Sequence, residues 1–341
     1  MLSVNPSLEA LKLAASVSLT IALSLAFGWQ KPYWAAVVVI ILAITPGFDQ
    51  GIAKGRMRLI GTVFGGFIGL VWVALFSQSE LAFLFTILIA GALCAYGYTT
   101  KSYGYALKIA FIVASIVFFA GGFDSVHSFS MAVLRIQQTL LGLLVFYWVY
   151  RVVDFPRDNN PRSDTPISVT RSDESQQLHL LGIGRAKKFV LITCAVWLAW
   201  FWLPMPGGVL FPLLAATLGL TLVEFNSASY RLVFVTLTFW SLFVLFQLVS
   251  LLPQLTELWQ LAGFFFVNLF VIWRVFSKPE HTMIRLLGAQ MLVLLTMGAQ
   301  NLRPSYDILM PITMLLLVLL LLIIARWVSQ LFEWLELKPN H

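Results

Sequence analysis

Apolar segments of roughly membrane thickness recur along this chain on both sides of one polar stretch. A helix crossing a bilayer core needs about 20 apolar residues. Segments of that order can be cut at 8–29, 32–48, 57–77, 81–98, 104–122, 129–150, 186–204, 207–223, 230–252, 257–276, 283–300 and 306–332. The pattern predicts an all-α protein: a polytopic transmembrane helical bundle of about 12 spans.

Residues 154–185 break the pattern, being rich in Pro, Ser, Asp, Asn and Arg and poor in large apolar side chains. That composition predicts a mobile cytoplasmic linker. It separates a first six-span transmembrane half, 1–153, from a second, 186–341. Echoes between the halves point to duplication. Lys108 and Arg285 each stand at the cytoplasmic start of the fifth span of their half, and each is followed 13 residues later by a glycine, Gly121 and Gly298. Pro32 and Pro206 both sit at the outer corner between the first and second spans. A second echo lies inside the first half. Arg58, Thr62 and Gly65 in span three form R-x-x-x-T-x-x-G, and Arg135, Thr139 and Gly142 repeat it in span six. Those two spans run in opposite directions, so the echo reads as an inverted three-plus-three repeat, a symmetry common in secondary transporters.

Hydrophobic residues make up 60% of the chain and charged residues 11%, against about 25% charged in an ordinary soluble domain. The formal charge of +7 raises the question of a nucleic-acid partner, and the placement of the basic residues answers it. With the N-terminus inside, 19 of the 22 Lys and Arg fall on the cytoplasmic side, only Lys31 and Arg303 fall outside, and Arg135 lies within a span. This is the positive-inside bias of a multi-pass protein with both termini cytoplasmic, so the expected surroundings are a lipid bilayer and not nucleic acid. The first apolar stretch lacks a small-residue cleavage site and reads as an uncleaved first helix.

No nucleotide, zinc-protease or nucleophile-elbow signature occurs. Cys94 and Cys194 lie in different apolar spans with no metal-ligand spacing and read as packing residues. The expectation is therefore no enzyme, no cofactor and no metal. Gly61, Gly65 and Gly69 form two overlapping G-x-x-x-G steps, the spacing that lets helix backbones approach closely in lipid.

Candidate chemistry lies among the few polar groups left inside the spans. Arg135 falls six residues into span six, about 9 Å deep at 1.5 Å per residue. An arginine near the bilayer centre costs about 2.5–3.5 kcal/mol on insertion scales, which snorkelling to the headgroups or a ligand would offset. Gln137, Gln138 and Thr139 continue the polar strip. A guanidinium suits a carboxylate, so Arg135 with Gln138 predicts an anionic substrate. Lys108 is a further substrate candidate, although its position one turn inside also suits snorkelling. Tyr33 and Trp34, beside Pro32, are placed to anchor at the interface or to stack on an aromatic ligand. Asp49, after the Thr45-Pro46-Gly47 break, and Asp307, at the outer start of span twelve, are the acids best placed for proton coupling or for pairing with an arginine such as Arg58. Gln290, Gln300 and Asn301 give span eleven a polar face.

Lys31-Pro32-Tyr33-Trp34, Thr45-Pro46-Gly47 and Arg58-Leu-Ile-Gly61-Thr62-Val-Phe-Gly65-Gly66 resemble the fusaric-acid-resistance and aromatic-carboxylic-acid exporter family. That family shows a Pro-Tyr-Trp start to its second span and an Arg-x-x-Gly-Thr-x-x-Gly start to its third. The resemblance covers residues 10 to 150. It implies a bacterial inner-membrane exporter of aromatic or other hydrophobic organic acids, proton-coupled and working with a periplasmic adaptor protein. The better-known members carry a large cytoplasmic domain that this chain lacks. An anion channel on the same helices and a non-transporting assembly subunit are the alternatives, and a homo-oligomer fits all three.

Overall fold

A computed structural model describes residues 5–76, 79–121, 124–153, 171–204 and 206–336. Among them the chain is helical without strands, and each expected span corresponds to one α-helix. In the first half these are α1 (Pro6–Ala26), α2 (Tyr33–Ala43), α3 (Phe48–Phe76), α4 (Glu80–Thr100), α5 (Gly104–Gly121) and α6 (Ser125–Val153). In the second they are α7 (Arg171–Trp202), α8 (Leu210–Leu222), α9 (Ser227–Ser250), α10 (Leu258–Val275), α11 (Thr282–Leu295) and α12 (Leu309–Glu336). Seven of these helices (α1, α3, α4, α6, α9, α10 and α12) are long and apolar enough to cross a membrane, while α2, α5 and α8 are shorter apolar helices. Of the expected linker, residues 154–170 lie outside the described residues, and 171–185 form the start of α7.

Local chemistry sets the helix ends. Asn5 accepts a hydrogen bond from the Ser7 amide at 3.1 Å, and Pro6 follows at the first turn of α1, where its missing N–H costs nothing. Asp124 caps α6 through the Val126 amide at 2.9 Å. Glu257 and Gln260 make a capping box at α10, satisfying amides that would otherwise be orphaned. At the Thr45-Pro46-Gly47 break, α2 ends after only 11 residues and Gly47 turns the chain at φ +85°, a conformation that favours glycine.

One large apolar core runs through both halves, from Ala10 and Leu13 of α1 to Leu321 and Ala325 of α12. The main helix pairs are α3 with α5, α1 with α10, α4 with α7, α3 with α6, α9 with α11 and α2 with α6. Lipid tails are as apolar as leucine, so association here comes from close packing. Glycine supplies it. A methyl group on Gly65 would meet the Ala110 backbone, 2.8 Å from its Cα, and lie 2.9 Å from Val113 Cβ. Gly61 and Gly69 likewise abut α5 at Ile109 and Val117. Gly142 of α6 repeats the arrangement against α2, where a methyl group would lie 2.8 Å from the Ala35 carbonyl oxygen and 3.0 Å from Val38 Cβ.

These contacts generate a stability prediction. Gly65→Ala and Gly142→Ala should each destabilise the detergent-solubilised protein by about 1–3 kcal/mol, the usual overpacking range. Gly66, where the nearest atom to an added methyl group is Ala132 Cβ at 3.5 Å, is the control. There alanine should be neutral, or stabilising by up to about 1 kcal/mol from helix propensity. Equal losses at all three positions in a thermal unfolding series would contradict the packing account.

Candidate functional site

The corner between α1 and α2 is built to hold charge. Gly28 turns at φ +72°, Lys31 takes the left-handed φ of +59°, and Pro32 starts α2. A left-handed lysine costs about 1–2 kcal/mol, so the neighbouring contacts must hold it there. Gln138 of α6, fully buried, clamps the corner by donating from Nε2 to Ser24 Oγ at 2.8 Å and to the Gln30 carbonyl at 2.9 Å. The Lys31 ammonium reaches the Met131 thioether at 3.1 Å.

Two cations meet on one indole. The Arg135 guanidinium carbon lies 4.1 Å from the Trp34 ring centroid and Lys31 Nζ lies 5.2 Å from it. Tyr33 packs edge-on against Trp34, with ring centroids 5.5 Å apart. Arg135 Nε is buried with no hydrogen-bond partner. Among the described residues neither cation makes an ion pair. A desolvated cation–π contact is worth about 2 kcal/mol, whereas one arginine in the membrane costs about 2.5–3.5. The ring therefore leaves a residue of unmet positive charge. In the corner outside the spans, burial and then the Arg135 guanidinium hold the Lys31 ammonium below the ordinary lysine range.

Beside this pair opens a cavity of about 290 Å³, near the lower end of ligand-cavity sizes, which run from about 300 Å³ upward. Lys31 and Tyr33 line it from the first half, and Leu248, Leu295, Asn301 and Asp307 from the second. The second-half wall is irregular because α11 stops at Leu295 and a 3₁₀ turn, Met297–Gln300, follows. Gln300 bridges the break, donating to the Val293 carbonyl at 2.7 Å and to Thr296 Oγ1 at 3.1 Å. Irregular backbone at membrane depth is tolerated where it lines a cavity.

The structure thus gathers Arg135, Gln138, Tyr33 and Trp34 at one corner, with Asp307 on the adjoining cavity. Asp307 is exposed and also caps α12 through the Leu309 amide at 2.9 Å. The remaining candidates lie elsewhere. Asp49 is exposed in the first turn of α3. Arg58, 9% exposed, donates from Nη1 to Tyr105 Oη at 3.1 Å, and neither Asp49 nor Asp307 pairs with it. Lys108 is met from within the protein: its ammonium lies 2.5 Å from Glu224 Oε1 at the end of α8 and 4.6 Å from the Tyr98 ring centroid. Lys31 joins the site without having been singled out for it, while Asn301 lines the cavity from the polar face expected of span eleven. The signal for Lys31 was its place outside, against the positive-inside bias.

Residues 8–166 match the model of the fusaric acid resistance protein family. The match supports the family that the Pro-Tyr-Trp and Arg-x-x-Gly-Thr motifs resemble, and with the apolar helices it describes a multi-pass membrane protein of transport-related function. The corner from Lys31 to Trp34, Arg58 and Arg135 all fall inside the matched region; the cavity's second wall and Glu224 fall beyond it. No curated protein and no solved structure matches the chain.

Two substitutions separate structure from ligand binding at these cations. Lys31→Gly should relieve the left-handed strain and stabilise the protein by up to about 1 kcal/mol while weakening anion binding, which thermal unfolding and a binding titration would read together. A loss of stability would make Lys31 a structural residue. Lys108→Gln should cost about 1–3 kcal/mol by leaving Glu224 without its partner. The double exchange Lys108→Glu with Glu224→Lys should recover most of that loss, and the half-saturating substrate concentration should stay unchanged.

Proposed function

We propose that this protein is a secondary exporter of aromatic or other hydrophobic organic acids in a bacterial inner membrane. The observation that carries the reading is the pair of cations, Arg135 and Lys31, stacked on Trp34 with no ion pair to either among the described residues. A carboxylate ligand supplies the missing charge, accepting from the guanidinium, and an aromatic body finds Tyr33, Trp34 and the apolar cavity wall. Asp307, on the same cavity, is the acid through which proton coupling would act. Export across a second membrane requires a periplasmic adaptor, since the turns between the spans are short. Both termini are cytoplasmic in this reading, and copies of the chain associate in the bilayer.

The two halves are related in this proposal by an axis along the membrane normal. The packing supports it: α1 lies on α10 as α4 lies on α7, α2 meets α11 as α5 meets α8, and α3 runs along α5 as α9 runs along α11.

The test is efflux of a panel of aromatic carboxylates from cells expressing the wild type or Arg135→Gln at equal membrane abundance, with and without a protonophore. Gradient-dependent efflux that falls at least about tenfold in Arg135→Gln is expected. Flux that ignores the protonophore and follows the anion's own gradient would indicate a channel, and equal flux in both proteins would remove Arg135 from the path. Affinity should also depend on pH. Aromatic carboxylates are ionised above about pH 5, so raising the pH through Lys31's lowered range removes a positive charge without changing the ligand. Binding should therefore weaken earlier than an ordinary lysine would allow, and Lys31→Met should bind weakly throughout with that dependence gone.

A further inference from the structure

The inverted echo is realised as a symmetric crossing. Along α3 and α6, Gly51 meets Phe146, Gly55 meets Leu143 and Gly66 meets Ala132, so the two helices are antiparallel. At their centre Thr62 Oγ1 lies 3.5 Å from Thr139 Oγ1. Seven residues after each arginine, Gly65 presses on Ala110 and Val113 of α5, and Gly142 presses on Ala35 and Val38 of α2. The two motifs therefore use the same positions against equivalent partners.

The chemistry is repeated as well. Beyond Thr139, Arg135 and Lys31 share Trp34. Beyond Thr62, Arg58 donates to the Tyr105 hydroxyl at 3.1 Å, and Lys54 Nζ stands 5.5 Å from the centroid of the same ring. Arg58 is 9% exposed and its Nε, like that of Arg135, is buried without a partner. Lys54 donates to Thr45 Oγ1, at 3.3 Å, and among the described residues neither Arg58 nor Lys54 makes an ion pair. Each arginine precedes its threonine by one turn, so at 1.5 Å per residue the two arginine backbones stand about 12 Å apart along the crossing.

We propose that Arg58, Lys54 and Tyr105 form a second, inner anion station on the cytoplasmic side of the Thr62–Thr139 contact, equivalent by the inverted repeat to the outer station at Arg135, Lys31 and Trp34. This deepens the exporter reading and rests on it for the identity of the anion. An organic carboxylate arriving from the cytoplasm is held first at Arg58 and leaves from Arg135. The paired threonines lie between the stations, close enough that opening toward one side and closing toward the other needs only a small change at the crossing.

Benzoate is the probe, used with wild type, Arg58→Gln and Arg58→Lys in oriented membrane vesicles of both polarities. Arg58→Gln should raise the half-saturating benzoate concentration at the cytoplasmic face at least about tenfold and leave the outer face within about twofold. Arg135→Gln should do the converse, and Arg58→Lys should recover part of the loss. Equal shifts at both faces, or none with Arg58→Gln, would overturn the inner station. Labelling separates this outcome from a failure of the exporter reading. In a background with Cys94→Ser and Cys194→Ser, Thr45→Cys should be protected from a maleimide by benzoate, and Arg58→Gln should abolish that protection. Protection without flux would overturn the exporter and keep the station. Flux without protection, or neither, would overturn the station.

Discussion

The approach of α3 to α5 through Gly61, Gly65 and Gly69 is the contact on which the rest of the site depends. In lipid there is little hydrophobic gain in bringing two apolar helices together, so dispersion between backbones has to do it, and a single methyl group at Gly65 would meet the Ala110 backbone. The same device at Gly142 seats α6 on α2. With both pairs fixed, Thr62 and Thr139 touch, and the arginine one turn before each threonine is delivered to a ring on the neighbouring helix. The glycines thereby determine where the charges stand.

Among the described residues no acid pairs with either crossing arginine or with the lysine beside it. Glu224 meets Lys108 at 2.5 Å and Glu9 meets Lys12 at 2.9 Å, so this chain can neutralise a buried lysine when it needs to. At Arg135, Lys31 and Lys54 it supplies an aromatic face instead, and at Arg58 the Tyr105 hydroxyl. A ring attracts a cation without cancelling its charge, and leaves the donors on the far side available. That arrangement contributes less stability than an ion pair would, and it suits the proposed binding and release of an anion.

The helices and the outer site were largely legible in the sequence because both rest on local pattern. Span length, the clustering of basic residues between apolar runs and the place of Arg135 within such a run are all one-dimensional signals. The Pro-Tyr-Trp corner reads as a helix start, and Trp34 indeed stands on α2 facing Arg135. The parts that were not legible depend on contacts far apart in the chain. Lys108 reads as a snorkelling or substrate-binding cation until Glu224, more than a hundred residues away, is found beside it. Tyr105 gives no sign of being the hydroxyl that meets Arg58, and Asp307 carries no mark of sharing a cavity with Lys31. Helix α2 is shorter than the 32–48 span because it ends at Ala43, just before the Thr45-Pro46-Gly47 break that the sequence already marks.

The halves contribute unequally to this site, and the inequality is physical. R-x-x-x-T-x-x-G occurs in α3 and α6 and has no counterpart in α9 or α12, where the basic residues stand toward the helix ends. Yet α9 and α11 pack as α3 and α5 do, with Gly288 set against the Trp240 indole and that indole donating to the Ile284 carbonyl at 3.1 Å. α9 and α11 thus share the close helix approach, with a tryptophan packed at it. The second half serves as a wall, lending Leu248, Leu295 and Asp307 to the outer cavity and Glu224 to Lys108. The charged crossing of α3 and α6 is thus braced by helices that pack in the same way and carry no such pair of arginines, which concentrates the charge at one crossing of the bundle.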